Sequence, residues 1–442
     1  MYFGYLSDFL NGGKQFKMQD AKVFQQKESH FISTPSSYFD QRYYTESFGT
    51  KPFNLLYIGG EGPLNYRSQD NIMFRTTKSL EGSFYAIEHR GYGLFANNKF
   101  SLNMVSVDEA VEDLAYFANE MGYNQTWVLI GGSYSGTLAH DTILKYPHIF
   151  KAALSSSAPL HAQAEYPEYD KAVGDALVPA CKNSLQNANS QLDDFFENDK
   201  PQFKYWKTRF TSNYTISDVA FFYVLADTVS FAVQYNSKRL DFLTFLCSPF
   251  DNKQLDINSD KFLEHYVAFV HRVFRFQSLP DWDMDNLYKN QQMRLWMYQS
   301  CTSFGWFQTA PKTDSIRSKF IDLQWHLHNI CFKFYPELKP TDSAKETVPR
   351  TKNINARYAA LSPLPRVIYT NGNDDPWSVL SLKPKIVDQL VSYGGKCDGH
   401  AYVISKGSHC NDLQAFSVDD SPVQAKAKLE ILKTLLTYVN DC

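Results

Sequence analysis

The chain has 442 residues, 43% of them hydrophobic and 21% charged, with a formal net charge of −3. These are globular values, and the near-neutral balance gives no electrostatic case for nucleic acid or an anionic membrane surface. No stretch approaches the ~18 uninterrupted apolar residues of a membrane span, and the length exceeds the ~250–300 residues at which single cores stop growing, so two domains or one domain with a large insertion are expected.

The start, Met1 to Leu10, is apolar but interrupted by Asp8 and lacks a basic leader. It makes a poor signal peptide, which fits a cytosolic chain or a sequence without its true N-terminus. The first fifty residues are polar and aromatic with no sustained period and read as extended segments wrapping the domain. Phe53 to Ile58 is a buried-strand run ending in Gly59-Gly60-Glu61-Gly62-Pro63, and Ser83 to Glu88 is a second, closing in His89-Arg90-Gly91. From Ser106 to Met121 apolar residues recur at helical spacing, with Ser106 and Glu109 placed for a capping box and Gly122 as the stop.

Trp127 to Ile130 is again strand-like and runs into Gly131-Gly132-Ser133-Tyr134-Ser135-Gly136, followed by a helical pattern through Lys145. In a nucleophile elbow a Ser sits on a strained strand-to-helix turn between small residues, and Ser133 fits that place. Gly131 satisfies the first glycine of the pattern; Ser135 stands at the second. Taken alone, the stretch fits an ordinary Gly-rich loop equally well. What separates the two readings is whether an acid and a His follow in that order.

Lys151 to Ser155 is a further strand, and the alternation implies a parallel sheet with helices on both faces. It then stops. From about Glu165 to Arg350 come helical patterns rich in Phe, Tyr and Trp, with polar breaks such as Gln186 to Ser190 and Asp251 to Ser259. The expected organisation is a core in two parts, 20–164 and 351–442, with 165–350 as a helical insertion over the strand ends. Strand signals return at Arg366 to Thr370, delivering Asn371 to Trp377, and at Ala401 to Ile404, delivering Lys406 to Cys410. Pro422 to Val439 reads as a helix with Leu429, Leu432, Leu436 and Val439 on its sheet-facing side.

Three strand ends thus offer Ser133, Asp375 and His409 in the required order. A Ser is a poor nucleophile until an imidazole takes its proton, and a carboxylate on the far nitrogen holds that imidazole in the right tautomer. Asp374 and Asp412 remain rivals to Asp375 on these grounds. Tyr134, through the N–H after the nucleophile, and Gly60, on the loop after an early strand, are the expected oxyanion donors. His326 and His328 sit two apart in a helical pattern and share no face, so they are not a metal pair. His89, His140 and His148 read as structural groups. No cofactor or metal is expected.

Seven cysteines without a close Cys-x-x-Cys pair read as reduced core residues or as long-range disulfides with one thiol left over. Asn124-Gln125-Thr126 and Asn213-Tyr214-Thr215 are glycosylation sequons.

The chain resembles the serine peptidase family that contains prolyl carboxypeptidase, dipeptidyl peptidase II and the thymus-specific serine protease. The resemblance is carried by Gln41-Arg42-Tyr43, Gly59-Gly60-Glu61-Gly62, Glu88-His89-Arg90, Gly131 to Gly136, Lys145-Tyr146-Pro147 and Ser156-Ser157-Ala158-Pro159. Tyr298-Gln299-Ser300-Cys301, Phe304-Gly305-Trp306, Asp375-Pro376-Trp377 and Gly407-Ser408-His409 continue it. Two of these motifs look nearer to the thymus-specific type. Ser29, Gly91, Ser303 and the pair Ala359-Ala360 depart from the family pattern.

The resemblance implies an α/β-hydrolase core with a helical cap, Asp375 rather than Asp374 as the acid, and an exopeptidase that prefers a proline-like residue before the scissile bond. It also implies work in lysosomes or outside the cell, with disulfides. Trp306 and Trp377 are candidates for an apolar wall around a proline ring. The expected partner is a short peptide substrate, not nucleic acid or a membrane, and a homodimer is left open. An esterase or lipase, and a silent hydrolase-fold binding protein, are the alternatives.

Overall fold

The structure, a computed structural model, describes residues 20–32, 37–64, 71–93, 102–122, 124–236, 241–250, 260–275, 278–339, 351–358 and 362–442. Met1 to Leu10, the break at Asp251 to Ser259 and Ala359-Ala360 lie outside them.

The described residues hold eleven strands, in one large and one small sheet. The large sheet runs in the order β1 (Lys22–Lys27), β2 (Tyr38–Ser47), β4 (Ser83–Ile87), β3 (Phe53–Ile58), β5 (Thr126–Gly132), β6 (Phe150–Ser156), β9 (Val367–Gly372), β11 (His400–Ile404) and β10 (Val391–Ser392). From β4 to β11 every pairing is parallel; β1, β2 and β10 are antiparallel edges. This is the α/β-hydrolase fold. The two short strands β7 (Gln163–Glu165) and β8 (Gly305–Phe307) pair apart from it.

The opening segment is therefore more than a wrapping. Gln26 and Gln41, diagonal neighbours across β1 and β2, are buried, and the Gln26 amide donates to the Gln41 side-chain oxygen at 2.9 Å. Burying a polar pair on the inward face hides the alternation that marks a strand in sequence.

Helices of eight or more residues fill both faces. They begin with α1 (Ile72–Ser79), α2 (Val107–Gly122) and α3 (Tyr134–Lys145). Ser106 accepts from the Glu109 N–H at 3.2 Å, but the Glu109 carboxylate does not complete a capping box. It accepts instead from the Ser29 hydroxyl and the His30 N–H and lies 3.2 Å from the buried Arg90 guanidinium, which also pairs with Asp113. Motif residues do similar scaffolding elsewhere: Arg42 and Glu88 join β2 to the end of β4 at 2.8 Å.

Between β6 and β9 come α4 (Pro167–Asp175), α5 (Pro179–Asn198), α6 (Lys200–Thr211), α7 (Asp218–Gln234), α8 (Asp260–Phe274) and α9 (Gln291–Gln299). Gln186 to Ser190 does not break the chain but continues α5, since Leu185, Ala188 and Leu192 keep one buried stripe through it. The last helix, α10 (Pro422–Asp441), opens with a capping box of Ser421 and Gln424. Its buried side is Ala427, Lys428, Ile431, Leu435 and Tyr438, while Leu429 is exposed. Of the expected face, Leu432 and Val439 do pack against the sheet's core, and the buried centre is shifted toward polar residues: the Lys428 ammonium reaches Asp420 at 2.8 Å, and the Tyr438 hydroxyl donates to the Asp398 carbonyl at 2.6 Å, so both polar tips go inward with their stems.

Six cysteines form the disulfides Cys181–Cys247, Cys301–Cys331 and Cys397–Cys442, and Cys410 is the free thiol. Closing loops of this size restricts the unfolded chain and contributes about 4 kcal/mol each. Denatured without reductant, the protein should take up one equivalent of a thiol reagent, and after reduction seven, as read by intact mass. No helix among the described residues is long and apolar enough to cross a membrane.

Candidate active site

The strand β5 runs directly into Ser133, which has φ 60° and ψ −133° before α3 begins. A side chain at Gly131 would put its Cβ 2.0 Å from the Ser135 carbonyl oxygen, so the turn admits only glycine there. Position 135 is less strict. The Ser135 hydroxyl donates to the Gly132 carbonyl at 2.7 Å, which ties the turn together from inside. The Ser133 side chain takes no part in capping α3. Tyr134 is the first helical residue, so its N–H has no partner within the helix. Gly60 lies against the same turn, its Cβ direction 3.8 Å from the Ser135 hydroxyl.

Two further loops meet this one. Beyond β9, Asp375 caps a short 3-10 turn by accepting from the Trp377 N–H at 3.0 Å. Its other oxygen lies 2.9 Å from His409 Nδ1 on the loop after β11. The loops are held in register by the Asp374 N–H, which donates to the Gly407 carbonyl at 3.0 Å. Asp374 itself points elsewhere, toward Asn373, and burial raises its pKa. Asp412 is taken as well, accepting from the Ser156 hydroxyl at 2.6 Å and the Thr370 hydroxyl at 2.7 Å. It pins the His409 loop to the ends of β6 and β9. Cys410, next to His409, lies 2.9 Å from the Cβ direction of Gly132, next to Ser133, so the elbow and the histidine loop touch.

Asp375 and His409 are buried, at 1% and 8% exposure. Burial alone works against charge on the imidazole, but the Asp375 carboxylate and the Cys410 sulfur outweigh it and hold the His409 pKa well above its ordinary value. Since Nδ1 faces a carboxylate it carries the proton, which leaves Nε2 as the base.

The helices between β6 and β9 grip the same loops. The His409 N–H donates to the Gln234 carbonyl at 3.0 Å, the Ser408 hydroxyl to the Asn236 carbonyl at 2.9 Å, and Trp377 Nε1 to the Gln234 side chain at 2.9 Å. Beneath them lies a cavity of about 760 Å³, counted with its open mouth, lined by Ser133, Tyr134, Trp296, Trp306, Trp377 and Glu61 among others. Trp306 arrives on β8, where Gly305 has φ 69° and leaves no room for a Cβ against Gln163. Its indole stacks on Phe304 at 4.3 Å and meets Trp377 edge-on at 5.8 Å.

Sequence reasoning missed three groups on these walls. Trp296 looked like one more aromatic of a helical pattern, Glu61 like filler in a glycine loop, and His326 only like a rejected metal ligand. A single acid among glycines was the one available signal. Of the residues read as structural, His89 accepts from the Tyr134 hydroxyl at 3.1 Å and His140 lies 2.9 Å from the Tyr369 hydroxyl. Asn124 and Asn213 are exposed in turns. Among the described residues no group of three His, Cys, Asp or Glu is placed to hold a metal.

The family model described as serine carboxypeptidase S28 matches residues 26–431. "Probable serine protease EDA2" of Arabidopsis thaliana is 28% identical over 397 residues, covering 85% of this chain and 78% of its own length. The thymus-specific serine protease of Mus musculus is 24% identical over 434 residues, covering 88% and 80%. The lysosomal Pro-X carboxypeptidase of Homo sapiens is 25% identical over 492 residues, covering 95% and 88%.

Proposed function

The chain belongs to the serine carboxypeptidase S28 family of serine peptidases, and from that premise we propose that it is an exopeptidase hydrolysing short peptides after proline or a small residue. Ser133 is the nucleophile, His409 the general base and Asp375 the group that orients it. The observation that carries this assignment is the buried 2.9 Å contact between Asp375 and His409 Nδ1, on loops that touch the Ser133 elbow. His409 Nε2 takes the Ser133 proton as Oγ attacks the carbonyl, then returns it to the leaving amine; water reverses the sequence on the acyl-enzyme. The N–H groups of Tyr134 and of the Gly60 loop face the developing oxyanion, where preorganised donors act most strongly.

Residues 165–350 act as a cap that limits entry to short chains. Trp306 and Trp377 form the wall for a proline ring. Truncating Trp306 to alanine should reduce the preference for proline over alanine before the scissile bond by roughly tenfold, measured as the ratio of kcat/KM values for two matched peptides. Three disulfides, the exposed sequons at Asn124 and Asn213 and the lysosomal relative support a secreted or lysosomal protein.

The test pairs a fluorophosphonate adduct, located by peptide mass mapping, with side-by-side turnover of a prolyl peptide and a short acyl ester. An adduct on the Ser133 peptide together with preferred peptide turnover is expected. Preferred ester turnover would shift the reading to an esterase.

A further inference from the structure

The walls of the cavity also bear on which end of a peptide it holds, an inference that rests on the peptidase reading above. Among its described lining residues there is one carboxylate, Glu61, and no lysine or arginine. A carboxylate end drawn into this space would lose its water with no lysine or arginine to meet it and Glu61 to repel it, which is strongly unfavourable. An ammonium end finds the reverse: a half-buried acid and the faces of Trp296, Trp306 and Trp377, whose π-systems favour cations. Burial raises the Glu61 pKa against the opposing pull of His409, and a ligand cation beside it would favour the carboxylate further.

A second observation concerns His326, which also lines the cavity. His326 is 2% exposed and fixed in place, stacked on Phe307 at 5.0 Å and edge-on to Trp325 at 4.9 Å. Its Nε2 lies 3.2 Å from the Gln308 carbonyl and therefore carries the proton. Nδ1 is then a lone-pair acceptor, and it has no partner in the protein. Burial pulls the ring's pKa down to about 3, so it stays neutral and accepting across the working range. A buried acceptor without a donor is costly, and a ligand N–H would satisfy it. Neither Glu61 nor His326 offers the donor array that a carboxylate needs.

We propose that the cavity receives the free amino end of the peptide, with Glu61 opposing its charge and His326 Nδ1 accepting one of its N–H groups, so that a short N-terminal fragment is released. The chemistry agrees with this direction. The bond that forms at Ser133 is to the carbonyl of the amino-side fragment, the scissile C–N bond breaks, and the remainder leaves as an amine with the proton from His409. Water then frees the fragment as an acid. With proline in second place, that fragment is a dipeptide.

The experiment uses one tetrapeptide with proline second, prepared free at both ends, N-acetylated, or C-amidated, with products read by mass spectrometry. N-acetylation should lower kcat/KM by roughly 100-fold or more, the effect of removing one partner of a desolvated charge pair, and C-amidation should change it less than about threefold. In Glu61→Gln the free peptide should fall toward the acetylated one, mainly through KM, so that the ratio between the two forms shrinks; His326→Phe should shrink that ratio as well. Equal cleavage of acetylated and free forms, or loss of one residue from the carboxyl end, overturns the inference while leaving the peptidase reading intact. No cleavage of any form and no adduct at Ser133 would overturn both. If Glu61→Gln fails to label, the parent's acetyl and amide comparison decides alone.

Discussion

Replacing Ser133 with alanine should lower kcat/KM by about ten-thousand- to a million-fold, the range seen when the nucleophile of an acyl-transfer triad is removed and only binding and oxyanion donors remain. The fluorophosphonate adduct should vanish with it. Thermal unfolding should stay within about a degree of the parent, because the strain at this position belongs to the backbone, at φ 60°, and the hydroxyl does not cap α3. The two readouts together separate chemistry from folding. A variant that keeps activity within tenfold would place the nucleophile elsewhere; a variant that loses both activity and its melting transition would make Ser133 structural.

The same elbow shows what the sequence could and could not reveal. It was legible because its constraints are local: an apolar run, glycines that the backbone crowds, and a helical period all lie within twenty residues. The ends of β9 and β11 were legible for the same reason, since a buried strand followed by a polar turn is written contiguously. Residues alone left Asp374, Asp375 and Asp412 as rivals, and that ambiguity is physical. Which carboxylate reaches His409 depends on the turn that Asp375 caps and on the hydroxyls of Ser156 and Thr370 that occupy Asp412.

The cavity was illegible because it is assembled from loops and helices scattered from Glu61 to Trp377. Helix α7 is buried almost all round, so it shows no apolar stripe, yet Gln234 at its end holds both His409 and Trp377. The β1–β2 edge failed as a strand prediction because glutamines satisfy each other on its inward face. In each case a polar group is buried against a partner distant in sequence, and periodicity carries no trace of such pairs.

Asp375→Asn should reduce kcat by about ten-thousand-fold. An asparagine can turn its amide N–H toward His409 Nδ1, which favours the tautomer with the proton on Nε2 and leaves no base facing Ser133. The pH profile of the residual activity tests the electrostatic part independently. In the parent, the Asp375 carboxylate favours the imidazolium and keeps the His409 pKa well above its ordinary value against the opposing effect of burial. Activity needs the neutral ring, so it falls as pH drops through that raised pKa. Without the carboxylate the largest influence that raises the pKa is gone while burial still lowers it, so the pKa falls from its parent value even with Cys410 beside the ring. The acid limb of kcat/KM should therefore move to lower pH as the plateau collapses. Asp374→Asn, which removes a carboxylate directed at Asn373, should leave both the limb and the plateau within a few-fold of the parent. An unmoved limb in Asp375→Asn, or a collapse in Asp374→Asn, would show that another carboxylate controls the histidine.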